Sequence, residues 1–162
     1  MQTEKITEKI VSWLKDYATK AGVNGYVVGV SGGVDSGVVS TLCAMTGLKV
    51  LVLEMPIRQK QDQVNRAQEH IDFLKNKFPN VEGGTVNLSP AFEELYKTFD
   101  VKDEEFPAEK LAFANTRARL RMLTLYYYGQ INGLLVCGTG NKVEDLGIGF
   151  YTKYGDGGVD VS

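Results

Sequence analysis

The chain has 162 residues, 43% of them hydrophobic and 23% charged, and its 18 lysines and arginines against 20 acids leave a formal net charge of -2. That is the size and make-up of one ordinary water-soluble domain. The balance offers no global basic surface for nucleic acid, and no apolar run approaches the ~18 residues a membrane-spanning helix needs. Cys43 and Cys137 lie far apart and outside any C-x-x-C, so they read as buried thiols rather than as a disulfide framework or a zinc site.

The N-terminal "MQTEKITEKIVSWLKDY" interleaves charge with apolar residues and lacks the apolar core of a signal peptide, which predicts a cytoplasmic protein. From Thr3 to Lys20, Ile6, Ile10, Trp13, Leu14 and Tyr17 fall on one helical stripe, and Gly22 with Asn24-Gly25 ends it. Tyr26 to Val30 reads as a short strand apolar on both faces, the kind buried inside a parallel sheet. A Ser-Gly-Gly break follows, then a helix from Val34 to Thr46. "KVLVLE", Lys49 to Glu54, is a second strand stopped by Met55-Pro56, and Gln61 to Lys77 is a helix. Thr85 to Leu88 reads as a weaker third strand, and Ser89-Pro90 as a helix start with Ser as N-cap. The charged stretch from Asp100 to Pro107 is expected to be an exposed loop before a long helix, Ala108 to about Tyr128. A fourth strand, Gly133 to Cys137, runs into "GTGNKVEDLGIG", and the tail from Gly155 has no regular pattern. Strands alternating with helices require crossovers, so the expected fold is a single doubly wound α/β domain over residues 1–162, a parallel sheet with helices on both faces.

In such a sheet, ligands bind at the carboxyl ends of the strands, where a loop enters a helix N-terminus. "VSGGVDS", Val30 to Ser36, sits at that place. Gly32 and Gly33 free the backbone to turn successive N–H groups inward, the helix end adds partial positive charge, and Ser31 and Ser36 add hydroxyl donors. An acid beside phosphate makes sense as a ligand of a hard cation, so Asp35 reads as a Mg²⁺ ligand. The loop has no lysine, which excludes a Walker loop, and its glycines lack the G-x-G-x-x-G spacing of a dinucleotide fingerprint. His70, the single histidine, lies mid-helix beside Glu69 and away from these loops, and reads as a surface or partly buried residue rather than a base. The tyrosines Tyr126, Tyr127 and Tyr128 and the Trp13 stripe read as core or subunit interface.

"SGGVDS" resembles the pyrophosphate loop of the ATP pyrophosphatases, enzymes that adenylate a carboxyl or carbonyl oxygen and release pyrophosphate. "NTRARLRM" from Asn115, with "GTGNKVED" and "GFYTKYGDGGVD" between Gly138 and Asp160, is similar to the later motifs of the NAD synthetases. The resemblance implies a Rossmann-like adenine-nucleotide fold. It also implies amidation of deamido-NAD with ammonia through an adenylate, ATP as co-substrate, Mg²⁺, and a homodimer with the substrate at the subunit interface. By it, Gly29, Val30, Ser31, Gly32, Gly33, Val34, Asp35, Ser36 and Thr139 would bind ATP. Asp35 and Glu144 would hold Mg²⁺, and Arg119, Tyr126, Lys153 and Asp160 would contact deamido-NAD, with Asp156 a less certain neighbour. On a helix Arg117 and Arg121 share a face while Arg119 points elsewhere, so the three arginines cannot all serve one pocket. Arg58, after the second strand, has two readings: stacking on adenine or phosphate contact, and an exposed loop arginine. Family members continue beyond the point matched by Ser162, so the chain is expected to lack a C-terminal segment that helps hold both ligands. Another ATP pyrophosphatase and a non-catalytic ATP-binding module are the alternative functions.

Overall fold

A computed structural model describes residues 2–59, 61–99, 101 and 106–162. Most of the expected Asp100–Pro107 loop therefore lies outside the described residues. Helix α1 spans Thr3–Ala21, strand β1 Gly25–Gly29, α2 Val34–Met45, β2 Lys49–Glu54 and α3 Gln61–Lys77. Then come β3 Val81–Thr85, α4 Ser89–Thr98, α5 Pro107–Asn132, β4 Leu134–Cys137 and a short π-helical segment, Val143–Ile148. The sheet order is β3-β2-β1-β4, every pair parallel, with Val28 beside Val52 and Cys137 in register.

The alternation of strand side chains sorts the core into two layers. Tyr26, Val28, Val50 and Val52 face α1, α2 and α3, where Leu14, Ala18, Cys43, Ala44, Ala67, Ile71 and Leu74 are buried. Val27, Leu53 and Val136 face the other way, onto Phe92 of α4 and Phe113, Met122 and Leu125 of α5. Helices therefore cover both faces, as a doubly wound sheet requires. Tyr26 brings its hydroxyl into the first layer and donates it to the Leu14 carbonyl at 2.6 Å. The two cysteines are free thiols buried in the same layer. Among the described residues no helix is long and apolar enough to cross a membrane.

Three local expectations change. The third strand is Val81–Thr85 rather than Thr85–Leu88. A Cβ at Gly83 would run into Val52, so glycine is what lets β3 lie against β2. Ser89 begins α4 but does not cap it: its hydroxyl lies 3.5 Å from the Pro56 carbonyl and accepts from the Arg58 N–H at 3.3 Å. The tail is not patternless. Val161 bridges Cys137 in parallel, so the last residues extend the sheet beyond β4.

Candidate functional site

Strands β2 and β3 lie on one side of β1 and β4 on the other, so the winding reverses between β1 and β4. A cavity of about 280 Å³ opens at their carboxyl ends, lined by Gly29–Ser31 from β1, Cys137–Thr139 from β4, Met55 after β2, and Ala118, Arg121, Met122 and Leu125 from α5. Gln59, beyond β2, and Asp156 and Val159 of the tail complete the wall. This is the crevice at which doubly wound sheets bind ligands.

The phosphate-type loop is held by its own hydroxyls. Ser36, only 2% exposed, donates its Oγ–H to the Gly33 carbonyl at 3.0 Å and accepts from the Ser31 N–H at 3.2 Å. Ser31 Oγ accepts from the Gly33 N–H at 3.3 Å and lies 3.2 Å from Ser36 Oγ. The two serines expected as ligand donors thus divide: Ser36 shapes the loop, and Ser31 remains on the cavity wall. Gly32 takes φ +80, a left-handed angle that explains glycine there. Helix α2 begins at Gly33 with no side-chain cap, and among the described residues the N–H groups of Val34, Asp35 and Ser36 have no protein acceptor. Uncapped amides at a helix N-terminus favour an anion.

Thr139 lies with Ser31 on the cavity wall. Asp35 and Glu144 stand outside that lining. Both are exposed, one in the first turn of α2 and one in the first turn of the π-helical segment. Among the described residues neither carboxylate makes a hydrogen bond or ion pair, and an all-oxygen donor set suits a hard cation.

The four residues assigned to the second substrate form two pairs along the outer edge of α5, off the cavity. Arg119 Nε–H donates to the Lys153 carbonyl at 3.0 Å, and the Lys153 ammonium lies 4.9 Å from the centre of the Tyr154 ring. Tyr126 donates to Asp160 Oδ1 at 3.0 Å while Asp160 Oδ2 accepts the Val136 N–H at 2.8 Å. Partial burial first, and the Asp160 carboxylate second, push the Tyr126 phenol up to about 12.

One cavity residue, Arg121, was given no ligand role by the sequence reading, and another, Asp156, was named there only as a less certain neighbour of the substrate contacts. Arg121 lines the cavity and anchors its Nε–H on the Met55 carbonyl at 3.0 Å, and burial, with the Arg117 charge second, lowers its pKa. Its position beside buried Met122 and four residues from buried Leu125 is the signal that places it on the inner face of α5. Asp156 also lines the cavity, and its Oδ1 accepts the Thr152 N–H at 2.8 Å. Arg58 is exposed, and its guanidinium grips Glu93 at 2.6 and 2.8 Å and lies 4.9 Å from the centre of the Tyr96 ring. His70 is nearer the phosphate-type loop than its sequence position suggests, with Nε2 2.9 Å from Ser40 Oγ on α2. That Ser–His pair is no nucleophile, because Ser40 is fully buried.

The NAD synthase family model matches residues 6–162. The chain is 41% identical over 159 residues to an NH(3)-dependent NAD(+) synthetase of Carboxydothermus hydrogenoformans, covering 98% of the chain and 63% of that protein. It is 38% identical over 162 residues to one of Mesoplasma florum, again 63% of that protein. An NMN synthetase structure from Francisella tularensis superposes with TM-score 0.86 at 33% identity, covering 99% of the chain and 63% of that structure. An NH3-dependent NAD synthetase from Campylobacter jejuni, solved with a nitrate ion, gives TM-score 0.85 at 30% identity over 99% of the chain and 66% of that structure. The chain thus spans about 63% of the length of these curated relatives.

Proposed function

Because the chain belongs to the NAD synthase family, we propose that it serves, as a single domain, the ATP-dependent amidation of deamido-NAD to NAD in the cytoplasm. The observation that carries this reading is the Ser31–Ser36 loop, with its uncapped α2 amides, at the crevice between β1 and β4. The nicotinate carboxylate oxygen attacks the α-phosphorus of ATP, the bond to the β-phosphoryl oxygen breaks, and pyrophosphate leaves. Ammonia then attacks the adenylate carbonyl carbon, loses a proton and expels AMP, giving the amide. No protein nucleophile is needed. Catalysis is positioning and electrostatics: the amides of Val34 to Ser36 bind the departing pyrophosphate, Ser31 and Thr139 hold the triphosphate, and Arg121 offers a fixed cation at the cavity wall.

Asp35 and Glu144 are the residues that would hold Mg²⁺, which when bound supplies charge neutralisation on the leaving group. Arg119, Tyr126, Lys153 and Asp160 form the deamido-NAD surface of this proposal. The partner is a second copy of the chain. Leu123, Tyr127 and Ile131 lie along one face of α5 and are 67%, 60% and 61% exposed, which supports an apolar contact beside that surface.

The test is formation of AMP and pyrophosphate from Mg-ATP by the 162-residue chain, with and without deamido-NAD and ammonium, with NAD followed as product. NAD formation that requires all three supports the proposal, and ADP as the nucleotide product contradicts it. The likeness to the structure described as an NMN synthetase favours a second reading, amidation of the nicotinate mononucleotide, and offering both acids in the same assay separates the two.

A further inference from the structure

Behind the phosphate-type loop, Ser40 sits fully buried on α2, one turn beyond Ser36. Its Oγ lies 2.6 Å from the Ser36 carbonyl, 3.2 Å from the Gly37 carbonyl and 2.9 Å from His70 Nε2 on α3. A hydroxyl has one proton, and a carbonyl can only accept. The short contact to Ser36 takes that proton, so His70 Nε2 carries a hydrogen and donates it to Ser40 Oγ. The link then runs from His70 to Ser40 to the backbone of Ser36, whose own hydroxyl fastens the Gly33 carbonyl and the Ser31 N–H. Helix α3 is thereby tied to the turn that presents the uncapped amides.

His70 lines a groove of about 490 Å³ that also takes in Gly32, Gly33 and Val34 of the loop, Thr7 of α1, Thr41 of α2 and Arg66 of α3. The Phe73 ring stacks beside the imidazole with centroids 6.2 Å apart. Aligned first-turn N–H groups repel one another and gain from an external clamp when no side chain caps them.

We propose that His70 is a positioning residue for phosphate binding, its Nε2–H holding Ser40 and through it the first turn of α2 in the arrangement that aims the loop amides at the anion. This rests on the reading of Ser31–Ser36 as a phosphate loop. The chain has a single histidine, so its ring-proton NMR signal needs no assignment. Titrating inorganic pyrophosphate with Mg²⁺ into the chain shifts that signal saturably. By calorimetry, His70→Ala and Ser40→Ala each weaken pyrophosphate about three- to tenfold, the scale of one buried hydrogen bond. The double variant loses no more than either single one, because both break one link. His70→Gln, whose amide nitrogen can reach the position of Nε2, recovers most of the affinity, whereas His70→Leu, of similar size without a donor, does not. Binding that is unaffected in both single variants, or losses that add, overturns the positioning role while leaving the phosphate loop intact. Failure of the unsubstituted chain to bind either pyrophosphate or ATP overturns the phosphate loop and this proposal with it. Should His70→Ala not fold, Ser40→Ala and His70→Gln decide by the same criteria.

Discussion

Asp160→Ala removes a carboxylate that does two jobs at the sheet edge. Oδ2 accepts the N–H of Val136, a fully buried strand residue, at 2.8 Å, and Oδ1 accepts the Tyr126 hydroxyl at 3.0 Å. The Asp160 and Val161 amides both donate to the Val136 carbonyl, at 3.0 and 3.3 Å, so this side chain fixes where the tail joins β4. A hydrogen bond to a charged group contributes about 1.5–3 kcal/mol, and an unpaired buried amide loses its desolvation energy as well. Asp160 is itself exposed, so water can replace it at Tyr126, and the expected loss is about 1–2 kcal/mol. For a domain of this size that lowers Tm by roughly 2–8 °C. Urea unfolding should show the midpoint fall with an unchanged m-value, the mark of lost stability rather than altered compactness. A variant that melts with the unsubstituted chain would refute the tie between tail and sheet edge.

Asp35→Ala is expected to abolish Mg²⁺-dependent turnover with the circular dichroism spectrum and Tm retained. Arg119→Ala is expected to weaken deamido-NAD far more than ATP, and equal losses for the two ligands would count against its assignment. Gly83→Ala should destabilise the chain by about 1–3 kcal/mol through overpacking against Val52, whereas Gly84→Ala, with open space around its Cβ, should leave denaturant stability unchanged or raised. The raised Tyr126 pKa means the folded state favours the neutral phenol. Its contribution is complete below the ordinary value of 10.0 and is lost as pH rises through about 12. An alkaline stability series should show that decline over this window, and Tyr126→Phe should make it shallower, the remainder coming from the buried Tyr26 phenol, whose pKa is also raised.

Much of the fold was legible because local patterns and global packing agree. The all-apolar "YVVGV" demanded burial on both faces, and the stripe through Leu14 pointed to a helix lying on the sheet. Strand β3 was misread because its information is steric and non-local: Gly83 is needed where the Val52 side chain approaches, which no window of "VEGGT" reveals. The place of the Ser31–Ser36 loop between β1 and α2 was legible, but the division of labour between its serines was not, since it depends on which hydroxyl points inward. Arg121 was overlooked for a similar reason. Helical periodicity separated it from Arg119, and the apolar neighbours Met122 and Leu125, buried against the sheet, mark it as the one of the two that faces the cavity.

The placement of α5 complicates how any loss of ligand affinity should be interpreted. Its inner face supplies Arg121, Met122 and Leu125 to the cavity, and its outer edge holds the tail through Asn115 to Thr152, Arg119 to Lys153 and Tyr126 to Asp160. The same tail brings Asp156 and Val159 back to the cavity wall, where Val159 packs so closely on Gly138 that a Cβ there would sit 2.8 Å from it. A substitution on the outer edge therefore reaches the cavity through the tail without touching a ligand. Weaker ATP binding in Asp160→Ala would follow from a displaced wall alone. Asp160→Asn separates the roles, because its carbonyl oxygen can still accept one of the two hydrogen bonds while the negative charge is gone. If Asn preserves ATP affinity and stability but loses deamido-NAD, the carboxylate acts on the substrate; if both ligands weaken together with Tm, its work is structural.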